Sequence, residues 1–305
     1  MTASTRTRGK ELHLPAGSAA RDGFDTVITP ADAGWTHSSL RTFTLPAGGS
    51  RTVPTAGEEM FLVPLTGGAT VALGRDEIAL EGRTDVFAGP TDVAYLPVDA
   101  HVTVSSRAGG RFALCGARTD VSMPFRHGPR VDVPVELRGA GQCSRQVRNF
   151  GTVGSFETAS LIACEVLTPS GNWSSYPAHK HDEAGAHESK LEEIYYFEIA
   201  GSPHGTPGIG YHRTSSSPAG DIDVLVEVRD RDTVLVPFGW HGPCMAAPGH
   251  DMYYLNVMAG PGPERAWKIT DHPEQAWIRD TWAGQSVDAR LIESSGRGTS
   301  TGGGQ

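Results

Sequence analysis

Residues 191–202 read LEEIYYFEIAGS and residues 57–68 read GEEMFLVPLTGG. Both segments begin with an acidic pair, continue as an apolar run of strand length and end in small residues typical of turns. Two more pairs of segments match in the same order: LPAGGSRTVP (45–54) with TPSGNWSSYP (168–177), and DVAYLPVDAH (92–101) with DTVLVPFGWH (232–241). The conserved order predicts an internal duplication in which each half is one β-barrel, the alternative being chance similarity between Gly- and Pro-rich β sequences.

Short alternating segments separated by Gly, Pro, Asp and Ser recur along the whole chain of 305 residues, which contains 38 glycines and 21 prolines. Helical patterns are few, and DHPEQAWIRDTWAG (271–284) predicts one late helix with Asp271 as its cap. This pattern favours an all-β fold of two tandem antiparallel jelly-roll barrels with few short helices. We expect one barrel over 14–130, a second over 131–290 and a disordered tail over 291–305.

Composition narrows the class of function. The formal charge of −9 argues against a nucleic-acid partner, which would need a basic surface. The four cysteines are scattered without a CxxC pair, as in a reduced cytoplasmic protein. No stretch resembles a signal peptide or a membrane span. The expectation is therefore a cytoplasmic protein without a nucleic-acid or membrane partner. An anionic metabolite is not excluded, because a few local Arg or Lys residues can override the net charge.

The segment HKHDEAGAHESK, which begins at His179, has no counterpart in the first half. In an extended segment, residues two apart point to the same face, so His179 and His181 present their imidazoles side by side. Glu193 begins the next strand, and His241 ends the PFGWH strand about fifty residues later. Three imidazoles and one carboxylate are a normal donor set for Zn, Mn, Fe(II), Co or Ni, so the pattern predicts a metal site in the second barrel.

Alternatives to this ligand set remain at the level of sequence. An HxH pair is common by chance, so His179 and His181 could also be ordinary loop residues. The choice of Glu193 over Glu192 depends on strand phase alone. His187 lies in the polar part of the inserted segment and is expected to be a loop residue.

The first half carries only part of the same pattern. Glu58 and Glu59 align with the acidic pair of the second half, and His101 aligns with its last histidine. Because two donors hold a metal poorly, we expect the first barrel to be free of metal.

The pattern HxH…E…PxGxH in duplicated β units resembles the cupin superfamily, here as a bicupin with metal only in the second barrel. More specifically, HKHD…LEEIYYFE, GIGYHRT and VPFGWHGPCMAAPGHDMYYLNVMAG are similar to the 5-deoxy-glucuronate isomerase family of myo-inositol catabolism. That family is related to the 4-deoxy-L-threo-5-hexosulose-uronate ketol-isomerases of pectin breakdown. The resemblance covers nearly all of residues 14–290, and the eleven residues between His181 and Glu193 favour the inositol branch.

The resemblance implies an aldose–ketose isomerase that converts 5-deoxy-D-glucuronate to 5-dehydro-2-deoxy-D-gluconate through an enediol. It implies a divalent metal, with zinc as the first choice and Mn, Fe, Co or Ni as alternatives, and a homo-oligomer. A cupin dioxygenase with Fe(II) would use the same ligands. A non-catalytic sugar-binding or regulatory cupin is the third hypothesis. Such a protein would need an attached DNA-binding or partner module, and the sequence contains no helix-turn-helix pattern or basic segment.

Four further residues are candidates for contact with the substrate. Strand phase places Tyr195 on the face of Glu193, and Tyr254 and Asn256 on one face of YYLNVM. Arg213 in GIGYHRT could bind a carboxylate with two parallel hydrogen bonds, or could be a surface arginine of its strand. The general base is left open between a hydroxide ion at the metal and Tyr195, and barrel packing is the alternative role of that tyrosine.

Overall fold

Most of the regular structure in residues 7–296, which the computed structural model describes, is antiparallel β-sheet. Two short strands, β1 (Thr7–Arg8) and β2 (His13–Leu14), come first. The strands of the first half are β3 (Thr26–Ile28), β4 (Ser38–Leu45), β5 (Gly49–Pro54), β6 (Glu58–Leu73), β7 (Asp76–Arg83), β8 (Val93–Leu96), β9 (His101–Ser106), β10 (Gly110–Arg118) and β11 (Arg126–Gly128). They form one sheet that curls on itself, because the long β6 pairs with β8 and β10 near its start and with β7 and β9 near its end.

The second half forms two facing sheets. Its strands are β12 (Val135–Arg138), β13 (Arg145–Gly151), β14 (Ile162–Thr168), β15 (Trp173–Ser174), β16 (His179–Lys180), β17 (Glu192–Ile199), β18 (Gly210–Ser217), β19 (Gly220–Val228), β20 (Thr233–Val236), β21 (Trp240–Ala246), β22 (Met252–Ala259) and β23 (Thr270–Asp271). One sheet has the order β12-β13-β14-β22-β17-β20-β2, and the other has β1-β19-β18-β21-β16-β23 with β15 beside β21. The prediction of two tandem antiparallel barrels is confirmed, and β1 and β2 extend the sheets of the second barrel.

Helices are short in the described residues. The α-helices are α1 (Gly9–Leu12), α2 (Pro30–Ala33) and α3 (Ala289–Gly296), and the 3-10 helices span Arg130–Asp132, Gly141–Cys143 and Ala276–Gly284. None of the described helices is both long and apolar enough to cross a membrane.

The end of the chain differs from the prediction in two places. The late helix begins at Ala276 and is a 3-10 helix. Asp271 does not cap it, because this residue lies in β23 and its carboxylate pairs with Arg279. The helix α3 includes residues 291–296, where disorder was predicted. The remainder of the predicted tail, 297–305, lies outside the described residues.

The strand β6 separates two apolar clusters. Met60 and Leu62 pack inside the first barrel, while Phe61 and Val63 pack on the opposite face against the second half. This alternation is the period of two expected for a strand that is buried on both faces. The cluster that contains Phe61 and Val63 continues without interruption into the core of the second barrel.

The register of the sheets corrects the alignment of the acidic pairs. Met60 is the pairing partner of Leu96 on β8, whereas Glu193 is the partner of Val236 on β20. The matching segments 92–101 and 232–241 make Leu96 the counterpart of Val236. Met60 is therefore the structural counterpart of Glu193, one residue away from the pairing that the sequences suggested, and a one-residue shift moves a side chain to the other face.

Glu59 and Glu192 are consequently the true pair, and their contacts agree. Glu192 accepts hydrogen bonds from the backbone amides of residues 36–38, at 2.8–3.0 Å. Glu59 accepts them from the backbone amides of residues 159–161, at 2.5–2.9 Å. Each carboxylate thus binds the segment that precedes a strand of the other half, which joins the two barrels with a reciprocal set of charge-assisted hydrogen bonds.

Candidate metal centre

Four predicted ligands converge between the two sheets of the second barrel. His179 on β16 and His241 on β21 are directly paired across the strands, with ring centroids 4.4 Å apart. His181 follows β16, and its ring centroid lies 4.6 Å from that of His241. Glu193 reaches the same point from β17 in the facing sheet. One nitrogen from each histidine lies within 4.8 Å of the others, and the four side chains are between 1% and 9% exposed.

The hydrogen bonds behind two imidazoles fix which nitrogen faces the centre. His181 places Nδ1 3.2 Å from the carbonyl oxygen of Leu191, and His241 places Nδ1 2.9 Å from that of Gly239. A carbonyl only accepts, so each Nδ1 carries the proton and each Nε2 turns a lone pair inward. Both Nε2 atoms lie 3.1 Å from the same oxygen, Oε2 of Glu193. Three acceptor atoms that meet in a buried space form an arrangement that a bound cation would stabilise.

Electrostatics maintains this donor set. Burial raises the pKa of Glu193, but the contacts of its carboxylate with the His181 and His241 rings outweigh that effect and lower the pKa, so the carboxylate is ionised. Burial and the two neighbouring imidazoles lower the pKa of His179 well below its usual value, so this ring is neutral. Nε2 of His241 is buried and has no hydrogen-bond partner among the described residues. Neutral imidazoles and an ionised carboxylate fit a divalent transition metal.

A second cluster of acids nearby has a different occupant. Nζ of Lys180 lies 2.9 Å from Asp182, 3.0 Å from Glu183 and 2.8 Å from Glu188. The ammonium group thus fills the space that these carboxylates enclose. Lys180 lies between two candidate ligands in sequence, but its side chain faces away from the candidate centre. His187, in the same loop, is exposed and belongs to neither group, in agreement with its expected role as a loop residue.

Among the residues that the structure describes, the first barrel does not assemble an equivalent set of donors. Met60 occupies the position of Glu193, the candidate carboxylate ligand, and belongs to the apolar cluster inside that barrel. Glu58 forms an ion pair with Arg41, with 2.9 Å between Oε2 and Nη1, and His101 is exposed. The donors that sequence comparison placed in this half are therefore engaged elsewhere or exposed.

A cavity of about 200 Å³ adjoins the centre of the second barrel. His179 and Glu193 line it, together with the candidate residues Tyr195, Tyr254 and Asn256. The expected phase of YYLNVM thus agrees with the lining of the cavity. A larger cavity of about 400 Å³ lies between the two halves, but none of these five residues lines it.

Hydrogen-bond donors cluster on the wall of this cavity. Oγ of Ser175 lies 3.1 Å from Oη of Tyr254 and 3.5 Å from Oη of Tyr195. Burial raises the pKa of both phenols, so they are protonated and suited to donate hydrogen bonds. Nδ2 of Asn256 is buried without a hydrogen-bond partner among the described residues. Ser175 was not predicted, because its contribution depends on the approach of two tyrosines from other strands.

The structure replaces Arg213 as the candidate for substrate binding. Its Nη1 donates to Oδ1 of Asp223 at 2.6 Å and to the backbone, and the residue does not line the cavity. Three other arginines do: Arg138, Arg145 and Arg279. They come from β12, β13 and the last 3-10 helix, so no local motif groups them.

Comparison with known proteins places this chain in a family. The sequence model of the KduI/IolB family matches residues 12–278. The 5-deoxy-glucuronate isomerase of Geobacillus kaustophilus is 37% identical over 275 residues, which cover 88% of this chain and 96% of the relative. The 5-deoxy-glucuronate isomerase of Bacillus subtilis strain 168 is 34% identical over 88% of this chain and 97% of the relative.

Solved structures agree with that comparison. The crystal structure of an IolB-like protein from Salmonella typhimurium is 34% identical, with a TM-score of 0.80, and the match covers 88% of this chain and 98% of that one. The oxalate decarboxylase of Lactobacillus farciminis, 12% identical with a TM-score of 0.60 over 95% of this chain and 94% of that one, shares the fold. The chain belongs to the KduI/IolB family.

Proposed function

We propose that this protein is a metal-dependent aldose–ketose isomerase that converts 5-deoxy-D-glucuronate to 5-dehydro-2-deoxy-D-gluconate in myo-inositol degradation. The observation that carries the proposal is the convergence of His179, His181, His241 and Glu193 on one point beside a cavity. Support also comes from relatives over 30% identical that carry the name of this isomerase and cover nearly the same length.

The reaction moves one proton between adjacent carbons. The proton leaves the carbon next to the aldehyde and is replaced by one on the former aldehyde carbon, through an enediol. A divalent metal held by the three histidines and the glutamate would act as a Lewis acid toward the carbonyl and the neighbouring hydroxyl oxygen. The phenols of Tyr195 and Tyr254 and the amide of Asn256 can donate hydrogen bonds to the oxygens on which negative charge develops.

Zinc is the proposed ion, since three imidazoles and a carboxylate suit it and leave a position open to substrate. Mn, Fe, Co and Ni accept the same donors, and metal availability decides among them. The substrate is a small acidic sugar, and the proposal includes a cytoplasmic location and a homo-oligomer, with neither a nucleic acid nor a membrane as partner.

An NMR assay with an oxygen electrode tests the proposal. Metal-loaded protein in D₂O should convert the deoxy-uronate to the ketose without oxygen uptake, and one deuterium should appear on the former aldehyde carbon. Oxygen consumption without isomerisation would instead identify an Fe(II) dioxygenase. Binding of the sugar with neither reaction would identify a sugar-binding protein.

A further inference from the structure

Two of the three arginines in the cavity are neutralised by the chain itself. Nε and Nη2 of Arg138 donate to the two carboxylate oxygens of Glu136, at 2.8 and 2.7 Å. Arg279 binds both carboxylate oxygens of Asp271, with 2.7 Å between Nη2 and Oδ1. Each of these guanidinium groups therefore already has the planar, two-point partner that it prefers.

Arg145 lacks such a partner. Its Nη1 donates to the carbonyl oxygen of Cys143 at 3.0 Å, and its guanidinium carbon lies 5.5 Å from the ring centre of Trp282. Among the described residues, no carboxylate lies within 4.0 Å of it, although the residue is only 5% exposed. Burial lowers the pKa of Arg145 to about 10, so it still carries its charge at neutral pH.

A buried charge without a counter-ion is costly, and proteins retain one where a ligand completes the pair. The same cavity is lined by Arg145 and by the metal ligands His179 and Glu193. A ligand lying in it can therefore offer oxygens to the metal at one end and an anion to the arginine at the other.

We propose that Arg145 binds the substrate carboxylate and makes the site selective for acidic sugars over neutral ones. The inference rests on the proposed function, because the deoxy-uronate carries its carboxylate at the end of the carbon chain remote from the reacting aldehyde. The guanidinium is held in place from behind: a Cβ atom at Gly139 would lie 2.7 Å from Nη1, so the backbone packs directly against it.

The experiment compares the deoxy-uronate with the same sugar bearing a primary alcohol in place of the carboxylate. In Arg145→Met, kcat/KM for the acid should fall at least about 100-fold, while kcat/KM for the alcohol should change less than about 3-fold. Arg145→Lys, which keeps the charge but not the fork, should lie between wild type and Arg145→Met. Arg213→Met is the matched control, and kcat/KM for both substrates should stay unchanged in it.

An equal loss for both substrates, or an undiminished preference for the acid, would overturn the role of Arg145. Bound metal and thermal unfolding are measured on each variant, and Arg145→Lys decides the question if Arg145→Met does not fold. If the wild type binds the deoxy-uronate without isomerising it, the proposed function fails. The role of Arg145 is then tested by calorimetry, which compares the binding affinities for the acid and for the alcohol. Acid binding that persists in Arg145→Met would then refute the inference independently.

Discussion

The carboxylates of Glu192 and Glu193 leave β17 on opposite faces, although the two residues are adjacent. Oε2 of Glu193 points into the second barrel and lies 3.1 Å from the Nε2 atoms of two histidines. Glu192 points outward and accepts hydrogen bonds from three backbone amides of residues 36–38 in the first half. One glutamate therefore serves the candidate metal centre, and its neighbour joins the two barrels.

Substitution of each glutamate by glutamine separates these roles. Glu193→Gln should lose the metal, because a neutral amide replaces the only anionic ligand, and it should remain folded. Glu192→Gln should retain the metal but lower the free energy of unfolding by about 1–3 kcal/mol through weaker hydrogen bonds to the amides. Elemental analysis and denaturant unfolding measure the two outcomes, and metal loss in the Glu192 variant would disprove the assignment.

The histidines provide a second test, which distinguishes the barrels. Replacement of His179, His181 or His241 by alanine should abolish bound metal, because each removes one of four donors. His101→Ala should leave metal content unchanged, since His101 is exposed on the first barrel and Met60 occupies the carboxylate position there. A lower metal content in the His101 variant would indicate that the first barrel binds the ion, which contradicts the assignment of the site to the second barrel.

Lys180 should act on the metal indirectly. Its ammonium group holds Asp182 and Glu188, which fix the chain on either side of the loop that follows His181. In Lys180→Met those partly buried acids repel each other, and metal affinity should fall about 10-fold or more without loss of a ligand. The control is Lys190→Met, since that lysine is exposed. Equal affinity of both variants, measured by competition with a chelator, would remove Lys180 from the site.

The interface between the barrels should make stability dependent on pH. Burial raises the pKa of Glu165, but the charges of Arg83 and Arg148 and a hydrogen bond from Tyr253 outweigh it, so the pKa is lowered from 4.5. A carboxyl group whose pKa is lower in the folded than in the unfolded state stabilises the fold. This stabilisation is complete at pH values above the pKa in the unfolded state, and it is lost as the pH falls through the pKa in the folded state. Glu165→Gln should therefore cost about 3–5 kcal/mol at pH 7, because two buried arginines lose their counter-ion.

The pH profile supplies the check on this prediction. The difference in unfolding free energy between wild type and Glu165→Gln should narrow as the pH falls below about 4.5. A difference that stays constant from pH 7 to pH 3 would show that ionisation of Glu165 does not contribute.

Local patterns predicted the barrels and much of the candidate centre, because the alternation of neighbouring residues indicates which side chains share a face of a strand. The alternation in LEEIYYFE puts Glu193 and Tyr195 on one face, and the structure brings both to the cavity. The sequence alignment of the two halves, however, differs by one residue from the alignment that the strand register gives. Identical acidic pairs dominated the alignment, whereas register depends on hydrogen bonding between strands distant in sequence, which placed Met60 opposite Leu96.

The substrate arginine was also beyond local reasoning. Arg213 stands in a recognisable motif but is engaged by Asp223. Arg145 stands in no motif, and its importance comes from burial and from the absence of an acidic partner among the described residues, both of which are properties of the folded chain. Chain topology, not residue spacing, brings it into the same cavity as the candidate metal ligands.

The most direct test of the central claim is an isomerisation assay on protein stripped of metal by a chelator and then reconstituted. We expect the metal-free protein to leave 5-deoxy-D-glucuronate unchanged, and one equivalent of Zn²⁺ per chain to restore conversion to the ketose. Glu193→Gln, treated in the same way, should not recover. Full conversion by protein shown to be free of metal would contradict the account.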